Sequence, residues 1–168
     1  MLLLVCLLSG MAACGTTAWT APAGTTTTFI LVRHAEKGTD DARDPSLSDV
    51  GKARADRLAQ LLSDAPLMAV YATVYRRTQQ TAQPVADGHG MVVTTYDAKM
   101  ADAAFASQLR AAHAHGTVLV VGHSNTVPGI AAALSGTVVE AMQDDQFDRI
   151  YRISIDSEGK ATLSQSSY

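Results

Sequence analysis

Phe29-Ile30-Leu31-Val32-Arg33-His34-Ala35-Glu36-Lys37 is the stretch that decides the fold of this chain. Four consecutive apolar residues predict a short strand buried on both faces, the pattern of a central strand in a parallel sheet. The run stops on an arginine and a histidine. In an open α/β sheet, side chains just past the carboxyl end of a central strand face the crevice where ligands bind. A fixed guanidinium beside an imidazole that titrates near neutral pH suits an anion, phosphate first. Alone, Arg-His reads as a solvent-facing basic loop; three later stretches supply matching parts.

The residues before this stretch read as a leader rather than as fold. Leu2 to Leu8 is nearly all apolar, too short to span a bilayer and the right length for the hydrophobic core of a secretory signal. It runs into Ser9-Gly10-Met11-Ala12-Ala13 and then Cys14, small residues before a cysteine that resemble a bacterial lipobox. Three outcomes fit: lipidation at Cys14, cleavage of a plain signal near Ala13 or Ala21, or an uncleaved anchor. The lipoprotein reading is favoured, with residues 1–14 as signal and lipobox. Gly15 to Thr28, rich in Thr, Ala and Gly, reads as a flexible tether carrying Trp19, and the domain is expected over 29–168. Both cysteines, Cys6 and Cys14, lie in the leader, so the domain has no disulfide, thiol nucleophile or cysteine metal site.

After the strand, Gly38 to Pro45 reads as a polar loop at the mouth of the site. Leu47-Ser48-Asp49-Val50-Gly51 opens a helix with Ser48 or Asp49 as cap, and Leu58, Leu61 and Leu62 form its apolar face. Pro66 follows that helix, and Leu67 to Tyr71 reads as a second buried strand. Tyr71 to Ala86 then passes from strand end into helix, with Arg76 and Arg77 at the helix amino end, a ready anion site. Adjacent residues of a helix point about 100° apart, so at most one of the two arginines faces the pocket.

Met91 to Tyr96 reads as an edge strand and Asp102 to Ala114 as a helix. Thr117 to Pro128 then repeats the opening logic: a strongly apolar strand, Gly122, a histidine at 123, and Ser124, Asn125 and Thr126 as cap candidates for a small-residue helix. Ile150–Ile155 and Ala161–Ser164, with Ser157-Glu158-Gly159 between, close the chain as a β-hairpin. His89, His113 and His115 read as turn and helix-end residues; no carboxylate pattern turns His113 and His115 into a metal site.

Composition bounds the partners. An apolar fraction of 47%, 17% charged residues and a net charge of −3 describe one ordinary globular domain. There is no Lys/Arg run, so nucleic acid is not expected. Local basic groups on a mildly acidic chain fit a small anion better than a polyanion.

Four blocks together resemble the histidine phosphatase superfamily (phosphoglycerate-mutase-like), and in particular its small phosphohistidine-phosphatase-type members. They are Val32-Arg33-His34-Ala35-Glu36; Leu47-Ser48 with Gly51, Arg54 and Ala55; Arg77-Thr78 with Gln80-Thr81-Ala82; and Val121-Gly122-His123-Ser124-Asn125-Thr126. The resemblance implies a three-layer α/β/α sandwich with a mostly parallel central sheet. It implies His34 as a nucleophile that becomes phosphorylated, with Arg33, Arg77 and His123 lining the phosphate pocket and Ser124 and Asn125 as further substrate contacts. Arg77 rather than Arg76 takes the family arginine's place, by its spacing to Gln80-Thr81-Ala82.

The chemistry is coherent on its own terms. A neutral imidazole attacks phosphorus through one nitrogen while its other N–H is held, by a backbone carbonyl. The arginines take the part that a metal plays elsewhere, so no cofactor is expected. The leaving-group acid is the weak place: Asp97 is the first candidate, with Glu36 and Asp148 behind it, and Ser124 stands where other members carry an aspartate. The expected function is a metal-independent phosphatase acting on a small phosphorylated substrate or a phosphoprotein, exported and touching the membrane only through a lipid anchor. The alternative is a catalytically idle phosphate-binding or envelope interaction module, with a phosphoglycerate-type mutase third.

Overall fold

The computed structural model of the protein describes residues 26–168. The leader, Cys6, Cys14, Trp19 and most of the tether lie outside the described residues. In chain order the elements are β1 (Thr27–Arg33), α1 (Asp49–Leu61), β2 (Leu67–Thr73), α2 (Arg76–Gly88), β3 (Val93–Tyr96), α3 (Asp102–Ala112), β4 (Gly116–Gly122), α4 (Val127–Ser135), β5 (Arg149–Ile155) and β6 (Ala161–Ser167). Strand β1 starts two residues ahead of the apolar run, because Thr27 and Thr28 pair with Gly116 and Thr117.

The six strands form one sheet in the order β3-β2-β4-β1-β5-β6. The first four positions are mutually parallel, whereas β5 runs antiparallel to β1 and β6 antiparallel to β5. Strand β4 slots between β2 and β1, so the chain's direction of winding reverses there, and the carboxyl ends of β1, β2 and β4 open onto one crevice.

Alternation along the strands builds the layers. Phe29 and Leu31 join Val118, Val120, Tyr151 and Ile153 on one face, covered by Phe105, Leu109, Ile130 and Leu134 of α3 and α4. Ile30 and Val32 join Val70, Leu119 and Val121 on the other, covered by Leu58 of α1 and by Ala82 and Val85 of α2. All four apolar residues of the opening run are fully buried, as a central strand requires. The fold is the three-layer, mostly parallel sandwich that the resemblance implied. Leu61 departs from its expected place: it is 53% exposed, because Leu58 and Leu62 alone turn into the core at the end of α1.

Two local contacts explain the second sequence block. Ser48 caps α1, its Oγ accepting from Gly51 N–H at 3.1 Å. A Cβ at Gly51 would stand 2.3 Å from the Glu36 carbonyl oxygen, so only glycine lets α1 lie against the segment that follows His34.

Candidate active site

The parallel register sets Arg33 against Gly122, which places His34 and His123 side by side just past the ends of β1 and β4. His34 N–H donates to the Gly122 carbonyl at 2.9 Å, and the two imidazole centroids are 5.4 Å apart. Both rings are under a tenth exposed.

His34 is held by one nitrogen. Its Nδ1 lies 2.8 Å from the Ala35 carbonyl oxygen, which can only accept, so Nδ1 carries the hydrogen and Nε2 keeps its lone pair. The Ala35 peptide is fixed in turn, since its N–H donates to Thr81 Oγ1 at 3.0 Å, and Thr81 Oγ1 donates to the Arg77 carbonyl at 2.7 Å. Burial, with lesser repulsion from His123, Arg77 and Arg33, pushes the His34 imidazolium down to about 3. The ring is therefore neutral at physiological pH, as a nucleophile must be.

His123 is held by both nitrogens. Nε2 lies 3.0 Å from Thr73 Oγ1, itself 2.7 Å from Thr78 Oγ1, and Nδ1 faces Arg77 Nη2 at 3.5 Å. Burial first, then Arg77 and Arg33, push its pKa down to about 4.

The two arginines differ in their supports. Arg33 Nη1 donates into three backbone carbonyls, those of Gln143, Asp144 and Gln146 at 3.1, 3.0 and 3.4 Å. Its guanidinium carbon sits 4.2 Å from the centre of the Phe147 ring. Burial lowers its pKa, against Asp144 and Asp145, which pull the other way. Arg77 stands 4.5 Å from the Tyr75 ring centre, with Nη1 3.7 Å from Asp44 Oδ1. Among the described residues, the Nε atoms of both Arg33 and Arg77 are buried with no hydrogen-bond acceptor. Unpaired buried guanidinium donors are costly, and an oxyanion is the partner that satisfies them.

A cavity of about 240 Å³, lined by Tyr75, Arg77, Ala98, Lys99, His123, Asn125 and Thr126, opens from this cluster to solvent. A second hollow of about 450 Å³ shares Tyr75, Ala98 and Lys99 with it and adds Val74, Thr95, Tyr96 and Asp97. The structure thus brings together Arg33, His34, Arg77 and His123 and sets Asn125 on the cavity wall, while Ser124 is half-buried off it. Arg76 faces away, paired with Asp40 at 3.1 Å.

The proposed acids fare differently. Asp97 lines the adjoining hollow, its Oδ1 accepting from Lys99 N–H at 2.9 Å, and does not line the cavity of Arg77 and His123. Glu36 is excluded as the acid: both its oxygens accept from Arg54, at 2.7 to 3.0 Å. Partial burial would raise the Glu36 carboxyl, but the Arg54 hydrogen bonds outweigh this and hold it below the usual range. Asp148 meets the carboxyl-terminal residue through its backbone, accepting from Tyr168 N–H at 3.1 Å.

Sequence reasoning missed Thr73, Tyr75, Asp44 and the segment 143–147. For the last, the one available signal was a lone aromatic, Phe147, in the acidic run Gln143-Asp144-Asp145-Gln146-Phe147-Asp148. Gly122, at the end of β4, leaves space for two neighbours. Its absent side chain makes room for Tyr96 Oη and Val127, 2.8 and 2.9 Å from where a Cβ would stand.

The profile of the histidine phosphatase superfamily (branch 1) matches residues 29–107, which takes in the first three blocks. No curated protein matches the chain in sequence. Among solved structures, the protein histidine phosphatase SixA complexed with tungstate superposes with a TM-score of 0.65 at 20% identity, over 83% of this chain and 96% of its own. A mycobacterial glucosyl-3-phosphoglycerate phosphatase gives 0.63 at 15% identity, over 83% and 97%. A phosphoserine phosphatase of Entamoeba histolytica, in complex with 3-phosphoglyceric acid, gives 0.64 at 16%, over 84% and 98%. At such identities these likenesses establish the fold alone. The profile match ends before the fourth block, yet the fold carries His123 to the side of His34, so the three blocks that match the superfamily in sequence are joined in space by the fourth.

Proposed function

We propose that the protein hydrolyses a phosphomonoester or a phosphoprotein in two steps through a phosphohistidine at His34. The supporting observation is one arrangement: a neutral, buried histidine with only its Nε2 free, beside two guanidinium groups that each keep a buried N–H without an acceptor. In the first step the Nε2 lone pair attacks phosphorus and the bond to the leaving group breaks, its electron pair departing with that group. Nδ1–H on the Ala35 carbonyl stabilises the positive charge that develops on the ring. Arg33, Arg77 and His123 are set to take the equatorial oxygens. In the second step water attacks phosphorus, the P–Nε2 bond breaks, its electrons return to nitrogen, and inorganic phosphate leaves.

Among the described residues, Asp97 lies in the adjoining hollow and Glu36 is tied to Arg54, so the reading favours substrates whose leaving group departs with little help, such as phosphoramidates and aryl phosphates. The leader carries the rest of the proposal: export, with Cys14 lipidated and the domain held at a membrane surface. Loss of acyl labelling in Cys14→Ser tests that part.

The central test compares the wild type with His34→Ala on an aryl phosphate in the presence of chelator, followed by acid quench. Turnover and an acid-labile phosphoenzyme in the wild type alone are expected. Tight phosphate binding without turnover on any phosphorylated substrate would instead favour an idle phosphate-binding module.

A further inference from the structure

The segment between α4 and β5 is irregular, yet it is built closely around one side chain. Gln146 N–H donates to the Gln143 carbonyl at 3.1 Å, and Gln146 Oε1 accepts from Gln143 N–H at 2.9 Å, so the turn is closed twice. Met142, buried in the core, anchors its entry, and Ile150 of β5, buried on the other face of the sheet, anchors its exit. The closed turn leaves three carbonyls converging on Arg33 Nη1. Directly after it, Phe147 lays its ring face on the same guanidinium at 4.2 Å, with its centroid 6.2 Å from that of His34. Arg33 is thereby held by backbone at its Cα, by carbonyls at one terminal nitrogen, and by an aromatic face on its plane.

From this geometry we infer that Phe147 is a positioning residue of the phosphate site, which, with the doubly closed turn 143–146, fixes the Arg33 guanidinium beside His34. A flat, always charged guanidinium fixed in plane presents its free N–H groups in one direction, and a cation held on an aromatic face loses the freedom to swing toward solvent. The Phe147 side chain has no hydrogen-bond donor to offer, so its effect on an oxyanion passes through Arg33, on whose guanidinium its ring lies. The rule generalises from preorganisation: donors must already point where charge develops, and a support that loosens them costs rate and binding together.

This inference deepens the phosphatase reading and rests on it for kinetics, but inorganic phosphate binding reads the same device without turnover. The test uses the full chain as wild type, Phe147→Ala, Phe147→Leu, Phe147→Tyr and Gln146→Ala, with Arg33→Met and Arg33→Met/Phe147→Ala. Phosphate affinity, kcat/KM on an aryl phosphate, and Tm are measured for each. Phe147→Ala and Phe147→Leu are expected to weaken phosphate and lower kcat/KM about tenfold, and Phe147→Tyr to restore both to within about twofold. Gln146→Ala, which touches no substrate, is expected to lose about threefold in both. In the Arg33→Met background, Phe147→Ala should cost nothing further. Leucine keeps apolar bulk without an aromatic face, so a folding defect in the alanine variant leaves the comparison intact. Wild-type affinity in folded Phe147→Leu, or an undiminished Phe147→Ala loss in the Arg33→Met background, overturns the inference. Phosphate binding without turnover in the wild type defeats the phosphatase reading, while the affinity series still decides the role of Phe147.

Discussion

The site has two halves made of the same parts. At the end of β1 stand Arg33, His34 and the Phe147 ring; around the ends of β2 and β4 stand Arg77, His123 and the Tyr75 ring. What separates them is where the second nitrogen of each imidazole goes. His34 spends Nδ1 on the Ala35 carbonyl and leaves Nε2 free. His123 spends Nε2 on Thr73 and faces Arg77 with Nδ1. One histidine thereby keeps a free Nε2, as the proposed nucleophile needs, and the other is a fixed polar contact, although the strand–histidine logic is the same in both. The arginines diverge likewise: Arg33 is pinned by three carbonyls, whereas Arg77 meets a partly exposed Asp44 at 3.7 Å. Hydrogen bonds outside the pocket, not residue type, divide the labour.

That asymmetry can be broken in order of effect. His34→Ala is expected to lose turnover by about 10⁴-fold or more while still binding phosphate, since the group that forms the covalent bond is gone. His123→Ala is expected to lose about 10² to 10³-fold and still form a phosphoenzyme, the cost of one preorganised contact. Rapid acid quench checks both, and a phosphoenzyme in His34→Ala but not in His123→Ala would reverse the assignment.

The supports come next. Thr81→Val removes the acceptor of the Ala35 N–H and loosens the carbonyl that sets the His34 tautomer; Thr73→Val frees His123 Nε2. Each leaves a buried donor unpaired, at about 1–3 kcal/mol. The sharper comparison lies in kinetics: Thr81→Val should slow phosphoenzyme formation about tenfold with phosphate affinity nearly unchanged, whereas Thr73→Val should weaken phosphate about as much as it slows the reaction. Steady-state and single-turnover rates with phosphate as inhibitor separate the two.

The smallest effect on rate is that of pH. Both histidines titrate well below an ordinary imidazole, at about 3 and about 4. Because His34 is already neutral at pH 5, kcat/KM should change less than about twofold between pH 7 and 5 on its account. Stability behaves otherwise. The unfolded histidines protonate near 6.5 and the folded ones do not, so stability is full above 6.5 and declines as pH falls toward the folded values, by at most roughly 2 kcal/mol for His34 at pH 5. Urea titrations at pH 7.5 and 5 check this, and His34→Ala should reduce the difference, leaving the share that comes from His123.

Much of the fold was legible because burial and periodicity are local signals. The apolar runs at 29–32 and 118–121 are buried strands, Ser48 caps α1, and the hairpin at the chain's end forms as its turn residues suggest. Leu61 misled because helical spacing gives a face wider than the strip that is covered: Leu58 and Leu62 are buried there and Leu61, at its edge, is not. In the site, the four residues named from the sequence do come together, and the His34 ring does meet a backbone carbonyl. Glu36 misled: it follows His34 in sequence, but the chain turns it onto Arg54, where charge pairing removes it from acid chemistry.

The sequence by itself determined which residues are chemically able to act, because strand-end histidines, arginine spacing and helix starts are properties of short stretches. Only the tertiary structure decided which groups hold each one. Thr73 and Thr81 reach His123 and Ala35 across 50 and 46 residues, and the carbonyls that grip Arg33 come from more than a hundred residues away. A backbone carbonyl has no letter of its own in a sequence, and a tautomer is set by whichever one the fold delivers.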